Sequence, residues 1–318
     1  MDIKDAGDIA HRMVREMNKA VIGQDEVLEQ MVVALLAGGH GLLEGVPGTA
    51  KTLLARTLSY VTGASFQRVQ FTPDLMPSDI MGVNIYNTAT GEFVFRQGPV
   101  FTDILLADEI NRAPAKTQSA LLEAMEEKQS TVDGVSHPMS SVFTVFATQN
   151  PVEFEGTYPL PEAQVDRFML KILVKYPDQQ QEANILDKVE SGFDAADLTT
   201  ANLETIVDTS SLERLRGIIR QVRVEEMVRR YITQIIQATR SMPQVALGAS
   251  PRAGVMLLLA AKAHAVVSGK EFVTPDNVKT MSFPVLRHRI LLNPEIEVEG
   301  KTSDDCLKEL LLKVEVPR

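Results

Sequence analysis

Apolar and polar residues follow two different periods along the first half of the chain. Met13 and Met17 recur at helical spacing within residues 5–19, and a second helix is expected over residues 25–36. Short apolar runs, which are typical of buried strands, then alternate with helical segments. The expected strands lie at residues 42–43, 66–71, 104–109, 142–147 and 169–174, and the helices between them at residues 53–58 and 116–127. This alternation predicts an α/β fold built on a parallel sheet.

Two β-hairpins interrupt the alternation. Val83 and Ile85 alternate before the polar turn at residues 87–91, and Phe93 and Phe95 alternate after it, which predicts a hairpin. The hairpin is either an insertion into the α/β unit or an edge hairpin of its sheet. A second tight turn, Asp133-Gly134, joins two short segments and predicts another hairpin.

The pattern changes after Pro177. Residues 178–211 are polar and acidic, which indicates a connecting helix and a loop. From residue 212 the chain is mainly helical, with segments expected at residues 212–220, 224–239, 251–267 and 275–282. We therefore predict an α/β core over residues 1–177, a connecting segment over 178–211 and a small all-α lid domain over 212–318.

Composition and net charge exclude several functional classes for this chain. Of the 318 residues, 44% are hydrophobic and 23% charged, which is typical of a globular protein with a sizeable core. The net charge of −10 argues against broad binding to nucleic acid or to anionic membranes. No apolar run approaches the length of a membrane span, and the N-terminus does not resemble a signal peptide. One cysteine, Cys306, allows no disulfide within the chain, so a cytoplasmic setting is expected.

A glycine-rich segment at residues 45–52 lies between a predicted strand and a predicted helix, which is the layout of a P-loop. Its backbone N–H groups are expected to face the phosphates of ATP, with Lys51 neutralising the β- and γ-phosphates and Thr52 ligating Mg²⁺. The expected nucleotide-binding residues are Gly45, Val46, Pro47, Gly48, Thr49, Ala50, Lys51, Thr52, Leu53 and Ile22. An ordinary strand-to-helix turn is the alternative.

Two of these positions need comment. The strict P-loop pattern has glycine where this chain has Ala50, and a methyl group is tolerated there if the local φ is negative. Ile22 lies in a small apolar turn that would pack on an adenine ring, although ordinary turn chemistry explains the turn equally well.

Asp108 and Glu109 end the apolar run at residues 104–109. In an open α/β sheet, ligands bind outside the carboxyl ends of the strands, so both carboxylates are expected to face the P-loop. Asp108 is then a candidate for the Mg²⁺ site beside Thr52, and Glu109 for polarising the attacking water. A solvated acidic turn is the alternative.

Asn150 and two arginines complete the candidate catalytic set. Asn150 follows another predicted strand and would orient water against the γ-phosphate; a structural turn before Pro151 is the alternative. If the P-loop strand is central in the sheet, Arg167 cannot easily reach its own nucleotide and would reach a neighbour's as an arginine finger; a surface pair with Asp166 is the alternative. Arg252 opens a lid helix and would sense the γ-phosphate.

These motifs resemble the MoxR family of AAA+ ATPases. The resemblance rests on residues 45–52, 106–114, 147–151 and 155–163, covers most of residues 20–177, and extends into the lid at residues 250–252. The magnesium-chelatase ATPase subunit is similar in the same motifs. The resemblance implies an AAA+ P-loop core with inserted hairpins before the Asp-Glu strand and before the Asn strand.

The resemblance also implies functional roles. Asn150 would be sensor 1, Arg167 the arginine finger and Arg252 sensor 2. The protein would form a ring, usually a hexamer, with nucleotide held between subunits. Such proteins commonly act with a partner bearing a von Willebrand factor A domain, in maturing or inserting metal into client enzymes.

The sequence therefore predicts Mg²⁺-dependent ATP hydrolysis coupled to remodelling of a protein client. One alternative is a chelatase-type motor subunit, which shares the motifs. Another is a nucleic-acid motor, because other ring ATPases grip DNA with inserted hairpins. The turns at residues 87–91 and 133–136 carry no Lys or Arg for phosphate contacts, so nucleic-acid binding is not expected.

Overall fold

A computed structural model describes residues 2–150 and 157–317 of the chain. Its strands are β1 (Gly41–Glu44), β2 (Phe66–Gln70), β3 (Gly82–Asn87), β4 (Glu92–Gln97), β5 (Ile104–Asp108), β6 (Gln129–Val132), β7 (Val135–Pro138), β8 (Thr144–Gln149), β9 (Leu170–Leu173), β10 (Val245–Leu247) and β11 (Leu291–Leu292). Its helices are α1 (Ile3–Asn18), α2 (Asp25–Ala37), α3 (Lys51–Val61), α4 (Pro77–Met81), α5 (Ala115–Glu127), α6 (Glu162–Val165), α7 (Gln179–Glu190), α8 (Thr209–Arg220), α9 (Glu226–Thr239), α10 (Pro251–Val267), α11 (Pro275–Leu286), α12 (Pro294–Val298) and α13 (Ser303–Lys313).

The central sheet has five parallel strands in the order β2-β5-β8-β1-β9. Along β5, Ile104 and Leu106 enter one apolar cluster, while Leu105 and Ala107 enter a second cluster on the opposite face. Both faces are thus covered, and this burial explains why the strand is a continuous apolar run rather than an alternating one. The α/β prediction is confirmed. The carboxyl ends of β1, β5 and β8 lie side by side at one edge of the sheet.

The two predicted hairpins are separate two-stranded sheets, β3-β4 and β6-β7, outside the central sheet. The first is therefore an insertion, and the edge-hairpin alternative is wrong for the described strands. Asp133 and Gly134 have φ of 49° and 80°, as the tight turn of the second hairpin requires. The hairpins contact each other: Asn84 donates to Asp133 at 2.7 Å, and the Phe95 ring stacks on His137 with centroids 3.8 Å apart.

The helices after residue 208 pack directly on the N-terminal helices. One apolar cluster contains Met13 of α1, Leu35 of α2, Leu257 of α10 and Leu310 of α13. The buried Arg216 of α8 reinforces this junction: it donates to the Leu35 carbonyl at 2.9 Å and to the Thr144 hydroxyl at 2.8 Å. Burial lowers the pKa of Arg216 to about 10. Through Arg216, the lid thus contacts Thr144, the first residue of β8.

The small β10-β11 pair and α12 were not predicted, because two to five residues carry too little periodicity to be recognised. Within the described ranges, no helix combines the length and the apolar character that crossing a membrane requires.

Candidate functional site

The P-loop connects β1 to α3, and its tight path accounts for two of its glycines. A Cβ on Gly45 would lie 2.4 Å from the Val174 carbonyl oxygen, so no larger residue fits there. Gly48 has a φ of 82°, in the region that glycine adopts without strain. The Lys51 ammonium donates to the carbonyls of Gly45 and Val46 at 2.6 and 2.9 Å, which places its charge inside the loop.

Ala50 does not meet the condition of a negative φ under which a methyl group is tolerated without strain. Its φ is 61° and its ψ is 24°, which is the left-handed region. The chain needs this conformation to turn from the loop into α3, directly before Lys51. A residue with a Cβ carries strain of about 1–2 kcal/mol there, so the loop is strained at Ala50.

A cavity of about 360 Å³ lies between the loop and the ends of β5 and β8. We call it the P-loop cavity. The residues that line it are Pro47, Gly48, Thr49, Ala50, Lys51, Thr52, Asp108, Glu109, Thr148 and Asn150. The structure thus brings together the predicted phosphate-binding, metal-binding and water-orienting side chains around one space.

Thr148 links the Asp108 carboxylate to the backbone of Glu109 and was not predicted as a site residue. Its hydroxyl donates to Asp108 at 2.6 Å and accepts from the backbone N–H of Glu109 at 2.8 Å. Glu109 has a φ of 56°, so the backbone is left-handed at this position too. The signal was available, since Thr148 lies at the end of the same predicted strand region as Asn150.

Residues at the end of β2 complete the surroundings of the carboxylates. Arg68 donates to Asp108 at 2.7 and 3.0 Å, and Gln70 donates to Glu109 at 2.7 Å. Arg112 forms an ion pair with Glu109 at 3.1 Å. The register of the sheet explains these contacts, because Gln70 pairs with Asp108 across β2 and β5. Sequence reasoning missed Arg68 and Gln70 because an alternating strand does not reveal which strand it neighbours.

The residues of the P-loop cavity fit a magnesium ion. The Thr52 hydroxyl and the Asp108 carboxylate line the same space, and both are oxygen donors of the kind that Mg²⁺ prefers. In the described part of the chain, no group of three or more His, Cys, Asp or Glu side chains is placed to hold a metal. This donor set suits an ion that completes its coordination with phosphate oxygens and water rather than an all-protein site.

A second cavity of about 230 Å³ adjoins the loop and is mostly apolar. Ile22 lines it with Leu53, and Ile185 and Phe193 close it from α7 and the segment that follows. Lys188 lies 4.9 Å from the centroid of the Phe193 ring, and burial lowers its pKa. Residues 178–211, predicted as a connecting segment, thus line this cavity, and the spacing of Ile185 and Val189 is that of an apolar helix face.

Arg167 and Arg252 lie elsewhere. Neither is among the described residues that line the P-loop cavity. Their guanidinium groups share one carboxylate, because Arg167 pairs with Glu126 at 3.3 Å and Arg252 pairs with it at 3.2 Å. They border a separate cavity of about 240 Å³ together with Lys128 and Arg220. This cavity is cationic because these four basic side chains face the single carboxylate of Glu126. Burial, with Arg216 and Arg220 nearby, lowers the pKa of Lys128.

The alternative surface pair between Asp166 and Arg167 does not form. Asp166 is paired instead with Arg289, whose Nε lies 2.6 Å from its Oδ1. The buried Arg289 guanidinium also donates to the carbonyls of Asp166, Phe168 and Met169 at 2.9, 2.6 and 3.1 Å, and to that of Val285. Burial lowers the pKa of Arg289, and Asp166 opposes that shift. Arg289 therefore fixes the backbone on both sides of Arg167.

Part of two predicted motifs lies outside the described residues, namely Pro151 and residues 155–156. The remaining part, from Thr157 onward, leads into α6 and β9.

Comparisons with known proteins agree with the fold. Residues 40–170 match the family model described as "ATPase family associated with various cellular activities (AAA)", and residues 237–310 match the model "AAA lid domain". A crystal structure of an ATPase candidate from Cytophaga hutchinsonii superposes with a TM-score of 0.90 at 40% identity, covering 99% of this chain and 96% of that one.

Relatives that align with nearly the whole chain show which family it belongs to. Chaperone MoxR1 of Mycobacterium tuberculosis is 42% identical over 316 residues, which cover 96% of this chain and 82% of that protein. Protein MoxR of Methylorubrum extorquens is 29% identical over 340 residues, which cover 99% and 97%. YeaC of Bacillus subtilis is 43% identical over 314 residues, which cover 99% and 97%. With these relatives, the matched AAA models and the P-loop between β1 and α3, the chain belongs to the MoxR family of AAA+ ATPases.

Proposed function

We propose that the protein binds Mg²⁺-ATP in the P-loop cavity and hydrolyses it at an interface between subunits of a ring, remodelling a protein client. The observation that carries this proposal is the meeting of the loop with Asp108, Glu109 and Asn150 around one cavity. The adjoining apolar cavity, which Ile22 lines, supports binding of the adenine ring there.

In this mechanism the loop binds the triphosphate through its backbone N–H groups. Lys51 exchanges its contacts with the loop carbonyls for the β- and γ-phosphates. Thr52 and Asp108 would hold Mg²⁺, which when bound neutralises charge on the phosphate oxygens. Thr148 keeps the Asp108 carboxylate oriented through its hydrogen bond.

Glu109 accepts the proton of the attacking water, and Asn150 orients that water. The new bond joins the water oxygen to the γ-phosphorus, and the bond from that phosphorus to the β-γ bridging oxygen breaks, which releases ADP and phosphate. Gln70 and Arg112 hold the Glu109 carboxylate at the edge of the cavity.

Arg167 and Arg252 are proposed to act together on a neighbour's γ-phosphate. Two guanidinium groups on the single carboxylate of Glu126 leave a net positive charge, which Lys128 and Arg220 increase. Such a cluster attracts phosphate and stabilises charge on the transferred phosphoryl group. A hexameric ring with nucleotide between subunits follows from the family resemblance and is the arrangement we propose.

A protein client is favoured over nucleic acid. Tyr86 and Phe93 are exposed on the first hairpin, whose turn carries no basic residue. One relative is named a chaperone, which supports remodelling as the outcome. A von Willebrand factor A domain partner, client maturation with metal, and a cytoplasmic location, which the single cysteine favours, belong to the same proposal. A chelatase-type motor remains the second candidate because it shares the motifs.

Two experiments test the proposal. Glu109→Gln should retain binding of a fluorescent ATP analogue and lose phosphate release; hydrolysis at the wild-type rate would show that Glu109 is not the base. Arg167→Ala should also be inactive, but mixing it with Glu109→Gln should restore activity at sites that combine an intact Glu109 with a neighbour's Arg167. Mixed assemblies without activity would exclude an arginine acting in trans.

A further inference from the structure

An apolar groove with basic ends lies between α9 and α10 in the lid. Its volume is about 390 Å³, its floor includes Ile232, Ile236 and Leu258, and Val255 on its wall is 56% exposed. Gly254 faces the groove without a side chain, which leaves room beside Ile236. A surface of this shape is typical of sites that receive one apolar face of a helix.

The groove carries an arginine toward each end. Arg229 on α9 and Arg240, the residue that directly follows α9, both line it and are 11 residues apart, which corresponds to about 16 Å along the helix axis. Arg229 donates to the Val224 carbonyl at 3.2 Å and Arg240 donates to the Ala249 carbonyl at 2.9 Å. No carboxylate of residues 2–150 and 157–317 pairs with either guanidinium. The charges favour an occupant with acidic residues on either side of an apolar patch.

Helix α7 of the same chain has this pattern. Leu186 is 70% exposed and Val189 is 56% exposed. Glu182 and Glu190 lie one turn before and one turn after Leu186, so the three side chains share one helix face. The two acids are separated by about 12 Å along the axis, close enough to the spacing of the two arginines for their long side chains to meet.

The positions of the two surfaces agree with an arrangement between neighbours. The groove starts at Pro251, which directly precedes Arg252, and Arg252 is the lid residue proposed to reach the neighbour's γ-phosphate. Helix α7 borders the cavity proposed for the adenine of that same nucleotide, through Ile185 and Val189. A copy that places Arg252 at the phosphate end of the nucleotide therefore brings its groove towards the α7 of the copy that holds the nucleotide.

We propose that α7 of one subunit binds in the α9–α10 groove of the next subunit. This inference rests on the proposed function, because it requires the arrangement in which Arg252 acts in trans. Glu182 and Glu190 pair with Arg229 and Arg240, and Leu186 covers the apolar floor. Ile185 and Val189, which lie beside Leu186 on the same helix, line the adenine cavity. A nucleotide bound in one subunit therefore contacts the helix that its neighbour's lid holds.

Charge reversal tests the contact, with assembly measured by sedimentation velocity in the presence of a non-hydrolysable ATP analogue. The first variant is Glu182→Arg with Glu190→Arg, and the second is Arg229→Glu with Arg240→Glu. Each variant alone should assemble about tenfold more weakly or worse, because like charges then meet at every interface. An equimolar mixture should regain assembly, since alternating subunits restore opposite charges at each contact. The chain with all four changes should assemble as the wild type does.

Arg230→Glu is the matched control, because Arg230 is exposed on α9 next to Arg229 but does not line the groove. It should assemble normally, and analogue binding with far-UV circular dichroism should show that every variant is folded. Normal assembly of both charge-reversed variants, or a mixture that does not regain assembly, would overturn the contact while leaving the ring intact. A wild-type protein that stays monomeric with the analogue would instead contradict the ring of the proposed function, and with it this contact.

Discussion

Replacing Arg289 with methionine should disturb the candidate arginine finger without touching the nucleotide. The guanidinium of Arg289 binds the Asp166 carboxylate and the backbone carbonyls on both sides of Arg167. Methionine keeps a stem of similar length but removes the charge and every donor. Asp166 is then left with Arg252 at 3.9 Å as its cationic neighbour.

The size of the effect follows from burial. Removing one partner of a buried ion pair costs about 3–5 kcal/mol of unfolding free energy. Because the Asp166 side chain keeps 25% of its surface exposed, we expect a value near the lower end, about 3 kcal/mol. A shift of about 1 Å in a positioned catalytic group lowers turnover by about 100-fold, so kcat should fall by that factor. Nucleotide affinity should not change, since Arg289 and Asp166 do not line the P-loop cavity.

Urea unfolding followed by circular dichroism gives the free energy, phosphate release gives kcat, and titration with a fluorescent ATP analogue gives the affinity. Arg289→Lys should recover part of both losses, because it keeps the charge beside Asp166. Arg223→Met is the matched control: its pair with Glu225 is 79% and 51% exposed, so its loss should stay within about 0.5 kcal/mol. Wild-type stability and turnover in Arg289→Met would refute the reasoning.

Three further changes probe the loop, the strand ends and the core. Ala50→Gly should raise the free energy of unfolding in urea by about 0.5 kcal/mol, because removing the strain of a left-handed alanine outweighs the extra conformational freedom that glycine gives the unfolded chain. A destabilised variant would show that Ala50 is not strained. Thr148→Val should lower kcat about tenfold with unchanged analogue affinity, since it removes the hydroxyl between Asp108 and Glu109; an unchanged kcat would assign Thr148 to packing alone. Burial lowers the pKa of His40 from 6.5 to about 4, so as the pH falls the unfolded chain binds this proton before the folded chain does. The free energy of unfolding therefore decreases as the pH falls from 6.5 towards 4. His40→Gln should reduce that decrease when unfolding by urea is measured across this pH range, and the same decrease in the variant would contradict the role of His40.

The fold was largely predictable because its signals are local. A strand covered on both faces, such as β5, is a continuous apolar run, and the Asp133-Gly134 turn specifies its own hairpin. The P-loop was recognisable for the same reason, since its glycines, Lys51 and Thr52 are contiguous. Asp108, Glu109 and Asn150 were located by the rule that ligands bind at the carboxyl ends of parallel strands.

The contacts that the sequence did not predict join elements that are distant along the chain and become neighbours only in the fold. Arg68 and Gln70 reach the carboxylates because β2 pairs with β5, and no periodicity specifies that pairing. Arg289 lies more than a hundred residues from Asp166, and the apolar face of α7 acquires a role only beside the P-loop. The φ of Ala50 is set by the path of the whole loop into α3, so the sequence could state the condition for an alanine there but not whether the loop meets it.

A crystal structure with Mg²⁺ and a non-hydrolysable ATP analogue tests the central claim most directly. The triphosphate should contact the backbone N–H groups of residues 45–52, with the ion beside Thr52 and Asp108 and the adenine beside Ile22. An analogue bound at another cavity, with no ligand at Lys51, would contradict it.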